Sequence, residues 1–454
     1  MMEKEIKIHK ENFVKGNQGS SSPLETFELI VMMQLSHIFF ELSLLNLSRI
    51  RLNKLFRTVI DFIANYLPFI LATTFLSDYV GILISLMSIA IIINAIIVYL
   101  NRTTAISFND LRLSEIDRFG SDRIPYVSNL LSTLLIATTF SILAVDFSIF
   151  PRRFSKTEIK GWSLMDFGVG GFIAINGGLA PESRKNRNSF QENFFKTFRS
   201  SFLFFSLGMI RLLSVKLLNY QEIISEYGIH WNFFFTLCFV KLISTILCSL
   251  MKGINLCLIS IIVAIVHQFL LKFCLKEFIL DSDRSGFLAA NKEGLISLIG
   301  FIPVYLTFIQ IGRFYFPSRK NITEISSLTL KLSIIAFSSL ILMYISHYLI
   351  DPISRRQVNL AFIFWIIFTC SFNIIIELVY FVFIQIVQPR IDYESKILKI
   401  WSRKGLIIFL IANLLTGAIN FFFNTLQIAN NLAFIILISY ISCLTLIGFL
   451  LNKK

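Results

Sequence analysis

Residues 79–99 read YVGILISLMSIAIIINAIIVY, twenty-one positions without a charged side chain. A helix rising 1.5 Å per residue needs about 20 apolar residues to cross the hydrocarbon core of a bilayer. Comparable runs recur near 24–48, 58–76, 126–147, 201–218, 231–250, 255–275, 294–316, 330–350, 358–388, 405–426 and 431–451, and a weaker, glycine-rich run lies at 162–180. In lipid every backbone N–H and C=O must find a partner within its own segment, which leaves helices as the spanning element for runs of this length. The expectation is an all-α polytopic membrane protein, a bundle of about 12–13 transmembrane helices. A polar tail over 1–23 would precede a single transmembrane unit over 24–454.

Composition supports the same solvent. Hydrophobic residues make up 55% of the 454 positions and charged residues 15%, where soluble domains run roughly 45–50% and about 25%. The formal net charge is +14. Its lysines and arginines sit between the apolar runs, where they fix topology and meet anionic headgroups, so no nucleic-acid partner is expected. Lysines on one side of the first run and arginines on the other leave its orientation open. The six cysteines form no C-x-x-C pair and lie in or beside apolar runs, so neither a disulfide framework nor a zinc site is expected. The tail lacks the basic–apolar–small order of a cleavable signal, and the first apolar run is expected to direct insertion itself.

In such a bundle chemistry falls to polar groups at span ends or facing a wet cavity. The richest segment is AVDFSIFPRRFSKTEIKGWSLMDFGVGGF over 144–172. Asp146 ends a long apolar run, where desolvation would make a carboxylate a usable general base. Lys156 follows ten residues later, with Arg152 and Arg153 between them after the helix-breaking Pro151. One acid and three cations around a turn can deprotonate a hydroxyl and hold phosphates or an oxyanion. They can equally be a juxtamembrane basic loop in which Asp146 pairs with one arginine. Asp166 opens a glycine-dense stretch suited to close helix packing or to backbone approach by a ligand. In YQEIISEYGIHWNFFF, over 220–235, His230 and Asn232 stand at a span entrance with Glu222 and Glu226 upstream. His37, His267 and His347 lie inside apolar runs and read as packing. Ser354-Arg355-Arg356 reads as a topology anchor or a headgroup contact. Asp281 and Asp283 lack a third ligand at useful spacing, and no metal site is expected. Asn413, Thr416, Gly417 and Asn420 recur at i, i+3, i+4 and i+7, one helix face that either glues helices or lines a cavity.

Taken in order, KENFV (10–14), AVDFSIFPRRFSKTE, SLMDFGVGGF, YQEIISEYGIHWNFFF, DSDRSGFLAANKEGLISLIGF (281–301), ISRRQVNLAF (353–362) and IFLIANLLTGAIN (408–420) resemble the GPI-anchored wall transfer protein family. These are glucosaminyl-phosphatidylinositol acyltransferases of GPI-anchor biosynthesis. The resemblance implies a multi-pass enzyme of the endoplasmic reticulum membrane, with about thirteen spans. It would move a fatty acyl group, usually palmitoyl, from acyl-CoA to the inositol 2-hydroxyl of glucosaminyl-phosphatidylinositol. It also implies that Asp146 and Lys156 are the catalytic pair. The partners are then acyl-CoA as co-substrate, the inositol lipid and the membrane, with no tightly bound cofactor. Ser148 stands where the family carries proline, Val127-Ser128-Asn129-Leu130 lacks an arginine common there, and Lys292 replaces an arginine.

On this reading Asp146 draws the proton from the hydroxyl and Lys156 stabilises the oxyanion. Arg152 and Arg153 meet phosphates, and Asp166, Glu222, His230, Asn232 and Asn413 contribute to substrate binding. Two rivals remain from the sequence: His230 as the base, or a transporter or flippase of a GPI lipid intermediate.

Overall fold

The computed structural model describes residues 21–47, 53–101, 125–184, 190–217, 224–281, 283–316, 322–387 and 395–452. Among them run thirteen helices of fifteen residues or more. They are α1 (Pro23–Asn46), α2 (Lys54–Ala72), α3 (Val80–Leu100), α4 (Pro125–Ala144), α5 (Leu164–Gly178), α6 (Phe190–Leu217) and α7 (Phe233–Leu250), followed by α8 (Leu256–Leu270), α9 (Lys292–Tyr315), α10 (Ile322–Ile345), α11 (Leu360–Val387), α12 (Lys396–Phe422) and α13 (Asn430–Asn452). Every one except α5 lies in a segment long and apolar enough to cross a membrane, twelve in all. The protein is an all-α polytopic membrane protein.

Residues 79–99 become α3, and its side chains face outward: only 6% of its most apolar window is buried, against 83% for α9 and 78% for α11. Outward-facing isoleucine costs nothing in lipid, so the most hydrophobic helix is a peripheral one. The core is α1, α4, α5, α9 and α11, whose buried faces form one continuous apolar cluster. α5 is fifteen residues, about 22 Å, and lies inside that core rather than against lipid. Its glycines explain the fit. A Cβ built on Gly177 would stand 2.5 Å from the Tyr305 carbonyl oxygen of α9, so only glycine lets those two backbones meet.

α1 starts at Pro23 with Ser22 as its cap, the hydroxyl accepting from the Glu25 amide at 3.0 Å. α4 ends at Ala144, so the chain turns before Asp146, earlier than Pro151 would require. The following loop, 145–163, is anchored by fully buried Phe147, Phe150 and Phe154. It docks on a second loop, 351–359. The Gly161 amide donates to the Ile353 carbonyl at 3.0 Å, Ser354 donates its hydroxyl to Ile159 O at 2.5 Å, and Lys160 pairs with Asp351 at 2.7 Å. Val358 in the second loop has φ +49°, a costly region for a β-branched residue. Gly300 of α9 allows it: a Cβ there would lie 2.5 Å from the Val358 carbonyl oxygen. A third connection, which enters α9 from residues 283–291, joins the same end through Glu293 in the first turn of that helix. That carboxylate takes Arg284 at 2.6 Å and Arg356 at 2.7 Å, while Lys292 donates to the Asp281 carbonyl at 2.5 Å.

Candidate functional site

A cavity of about 200 Å³ runs between α1, α4, α5 and α12. α4 lines it from Leu130 to Ile142 at helical spacing, about 18 Å of helix length. Most of the wall is apolar, including Phe69, Leu134, Ala137, Phe167, Phe172 and Phe409. Its charged groups, Lys156, Arg211 and Glu226 beside Tyr227, gather in one place; Gln34 with Thr133, and singly Thr138, Ser141 and Asn413, supply neutral polar groups elsewhere along the wall. Loop 145–163 links the last residue of α4 to the first of α5, so Lys156 belongs to the Ile142 end.

Lys156 is held there by charge. Its ammonium sits 2.8 and 3.0 Å from the two Glu226 oxygens. Glu226, on the short helix Ile224–Tyr227, also lies 3.4 Å from Nη1 of Arg355. Nε of Arg355 lies 2.9 Å from Asp166. Asp166 in turn accepts from the Thr157 hydroxyl at 2.6 Å and from its amide at 3.2 Å. Burial alone would raise the Glu226 carboxyl, but Lys156 and Arg355 overcome it and hold the group near 2. Burial also works against the charge on Arg355, and Glu226 and Asp166 outweigh it, so the guanidinium is raised above the usual arginine value. Lys156, Arg211 and Arg355 face two carboxylates, an excess of one positive charge at this end.

Asp146 is in the same loop, one helical turn past the cavity-lining Ser141 and Ile142, and is not itself a lining residue. Asn420 of α12 donates to its Oδ2 at 2.6 Å. Arg152 is close enough that Asp146 opposes the lowering of its pKa by burial, and the same guanidinium donates to the Val145 carbonyl at 2.6 Å. Lys156 and Asp146 thus share a loop but have different partners, and of the two Lys156 lines the cavity. Asn413 lines the cavity two turns of α12 before Asn420. The α12 polar face divides its roles: Asn413 borders the cavity, Thr416 meets the Tyr440 hydroxyl at 3.3 Å, and Asn420 holds Asp146.

Other residues singled out in the sequence fall elsewhere. Arg153 is spent on architecture, bound to Glu25 at 3.0 Å and Asp78 at 2.8 Å, which leaves its expected phosphate contact without support. Asn232 caps α7, accepting from the Phe234 amide at 3.0 Å and donating to the Gly208 carbonyl at 3.0 Å. The His230 ring is exposed and does not line the cavity, so as a base it would stand outside it. Glu222 lies outside the described residues.

The histidines read as packing prove to have polar partners. His37 is fully buried, with Nε2 2.8 Å from Asn129 Nδ2, and Asn129 also donates to Glu377 at 3.1 Å. Glu41 stands 3.5 Å from the other ring nitrogen and accepts from Tyr380 at 2.7 Å. His267 contacts the Gln357 carbonyl at 3.0 Å, and His347 accepts from the Ile353 amide at 3.0 Å. Periodicity could not find the Asn129 partner of His37 or the Gln357 partner of His267, because each joins residues about ninety positions apart. Arg355, Arg211 and Glu226 escaped as site residues for the same reason.

A many-spanning bundle enclosing a mostly apolar cavity with an ionic end places the chain among polytopic membrane proteins with a pocket inside the bundle. Comparison with known sequences narrows the class. The family model described as GWT1 matches residues 6–451. The chain is 32% identical to the phosphatidylinositol-glycan biosynthesis class W protein of Dictyostelium discoideum, over 100% of this chain and 99% of that one. It is 31% identical to GPI-anchored wall transfer protein 1 of Candida albicans over the same shares, and 37% identical to that of Kluyveromyces lactis over 65% of this chain and 66% of the relative. The chain belongs to the GWT1 family.

Proposed function

We propose that this protein acts in GPI-anchor biosynthesis in the endoplasmic reticulum membrane, as an acyltransferase. It moves a fatty acyl group, palmitoyl by preference, from acyl-CoA to the inositol 2-hydroxyl of glucosaminyl-phosphatidylinositol. The observation that carries the reading is Lys156: it lines the ionic end of a cavity whose wall is otherwise mostly apolar. An acyl chain fits the apolar length, and the thioester carbonyl then falls at the cation. The names of the relatives supply the pathway.

In the step itself, Asp146 takes the proton from the inositol hydroxyl as that oxygen attacks the thioester carbonyl. An N–H of Lys156 stabilises the oxyanion of the tetrahedral intermediate. The intermediate collapses with cleavage of the C–S bond, and CoA leaves as the thiolate. Asn420 orients the Asp146 carboxylate by its 2.6 Å hydrogen bond. Arg211, on the same end of the cavity, supplies positive charge for a phosphate of either substrate.

The test is mass spectrometry of the inositol lipids formed by purified protein from palmitoyl-CoA and glucosaminyl-phosphatidylinositol. The reading requires a product heavier by one palmitoyl group, dependent on palmitoyl-CoA. Lipid that crosses the bilayer of a proteoliposome but stays unacylated would replace it with transport.

A further inference from the structure

The contacts around Lys156 close into a ring. Lys156 binds Glu226, Glu226 meets Arg355, Arg355 pairs with Asp166, and Asp166 accepts from both the amide and the hydroxyl of Thr157, the next residue after Lys156. The lysine is therefore fixed twice, at its backbone through Thr157 and at its ammonium through Glu226. One guanidinium ties the two fixings together. That guanidinium is buried, its side chain 6% exposed, and it arrives on loop 351–359, which is held against loop 145–163 by three cross-loop hydrogen bonds.

A lysine stem has four rotatable bonds, and an unrestrained ammonium wanders among many rotamers. An ammonium carries three N–H donors. Two are directed at the Glu226 oxygens, at 2.8 and 3.0 Å, which leaves one for any other acceptor. From this geometry we infer that Glu226 and Arg355 are positioning residues for the acyl-transfer step. Glu226 turns the remaining N–H of Lys156 toward the reacting carbonyl, and Arg355 fixes Glu226 relative to Asp166. The inference rests on the acyltransferase reading. The charged groups gathered around the ammonium are Glu226 of the short helix, Asp166 of α5, Arg211 of α6 and Arg355 of the second loop, with the neutral phenol of Tyr227 beside them. Among the described residues only Glu226 reaches the ammonium itself, and Arg355 bridges both acids.

A role in holding loops together makes a different forecast from a role in aiming a donor. The test compares wild type, Glu226→Gln, Glu226→Asp, Arg355→Lys and Lys156→Ala, purified full-length, with kcat and KM for palmitoyl-CoA measured separately. An error of about 1 Å in a reacting group costs on the order of 100-fold in rate. Glu226→Gln, which weakens the grip without changing shape, is expected to lower kcat about 100-fold with KM within about twofold, the pattern of an interaction made in the transition state. Glu226→Asp keeps the charge and is expected to recover about a tenth of wild-type kcat. Arg355→Lys keeps charge but has no fork to bridge two carboxylates, and it should follow Glu226→Gln.

Wild type without acylated product would sink the acyltransferase reading itself. Active wild type with Lys156→Ala inactive and Glu226→Gln undiminished in kcat would overturn the positioning role alone. So would a fall in kcat that Glu226→Asp does not recover although it elutes and melts like wild type.

Discussion

The two polar regions that border the cavity differ in how they are built. At the Ile142 end the charges come from loops and short elements: Lys156 and Thr157 from one loop, Arg355 from another, Glu226 from a one-turn helix. Only Asp166 and Arg211 stand on long helices. On the side of Gln34 and Thr133 the polar groups all stand on long helices: Gln34, His37 and Glu41 on α1, Asn129 and Thr133 on α4, Glu377 and Tyr380 on α11. Gln34 donates to Thr133 at 2.7 Å, Thr133 to the Asn129 carbonyl at 3.1 Å, and Asn129 passes on to His37 and Glu377. The first region has surplus cation and an ammonium 37% exposed; the second has surplus acid, with His37 and Glu377 at 0% and 2% exposure. On the proposed function, groups that meet a substrate are carried on loops that can present them, while groups that fix helix register are locked between helices.

If that division holds, substitutions at the two regions should fail in different ways, and the largest effect belongs to the loops. Lys156→Ala and Asp146→Asn are each expected to lower acyl transfer by about 10²–10⁴-fold while the proteins insert and elute normally. Product formation by purified protein is the measurement. Asn129→Leu should do the reverse. It leaves the His37 ring and the Glu377 carboxylate without their shared donor, at a cost of about 1–3 kcal/mol for each buried polar group stranded. Its melting temperature in detergent should fall, with kcat of the surviving folded fraction near wild type. An Asn129→Leu protein as stable as wild type but inactive would erase the distinction.

Sequence alone reached different depths in these two regions. The spans were legible because a bilayer imposes length and apolarity directly on the chain, and the loop motif was legible because Asp146, Arg152, Arg153 and Lys156 fall within eleven residues. Its internal division of labour was not. Arg153 differs from Arg152 only in that Glu25 and Asp78, distant in sequence, reach it in the folded protein. The Lys156 partners Glu226 and Arg355 lie 70 and 199 positions away, and no local pattern specifies which arginine of the 355–356 pair turns inward. His37 looked like packing because it lies within an apolar run, although Gln34 and Glu41 stand one turn away on either side. Its other partners, Asn129 and Glu377, come from α4 and α11, and only the bundle brings those together.

The apolar wall between the regions can be probed for a smaller effect. Ala137 lines the cavity beside Leu134 and Thr138. Ala137→Phe would place a ring into about 200 Å³ of space. Changes of a methylene or so in such a wall shift discrimination by about 1–3 kcal/mol. Palmitoyl-CoA should lose about tenfold in kcat/KM, and a short-chain acyl-CoA should lose far less. Equal losses for both donors would mean that the chain lies elsewhere.

The smallest effect is confined to acid and separates the two regions by titration. Glu226 is held near 2 in the folded protein against an ordinary value of 4.5. A carboxylate whose folded value lies below its unfolded value stabilises the fold fully above 4.5, and that contribution is lost as pH falls through the interval down to about 2. Across pH 5 to 8 this group is ionised in both states and adds no slope. The stability of wild type, followed by intrinsic fluorescence in detergent, should therefore carry a component that decays between pH 4.5 and 2. Glu226→Gln, which has nothing there to protonate, should lack that component and lose less stability over the same interval. Identical acid profiles for the two proteins would mean that the carboxylate gains nothing from Lys156 and Arg355. The grip on the ammonium would then be a contact without force.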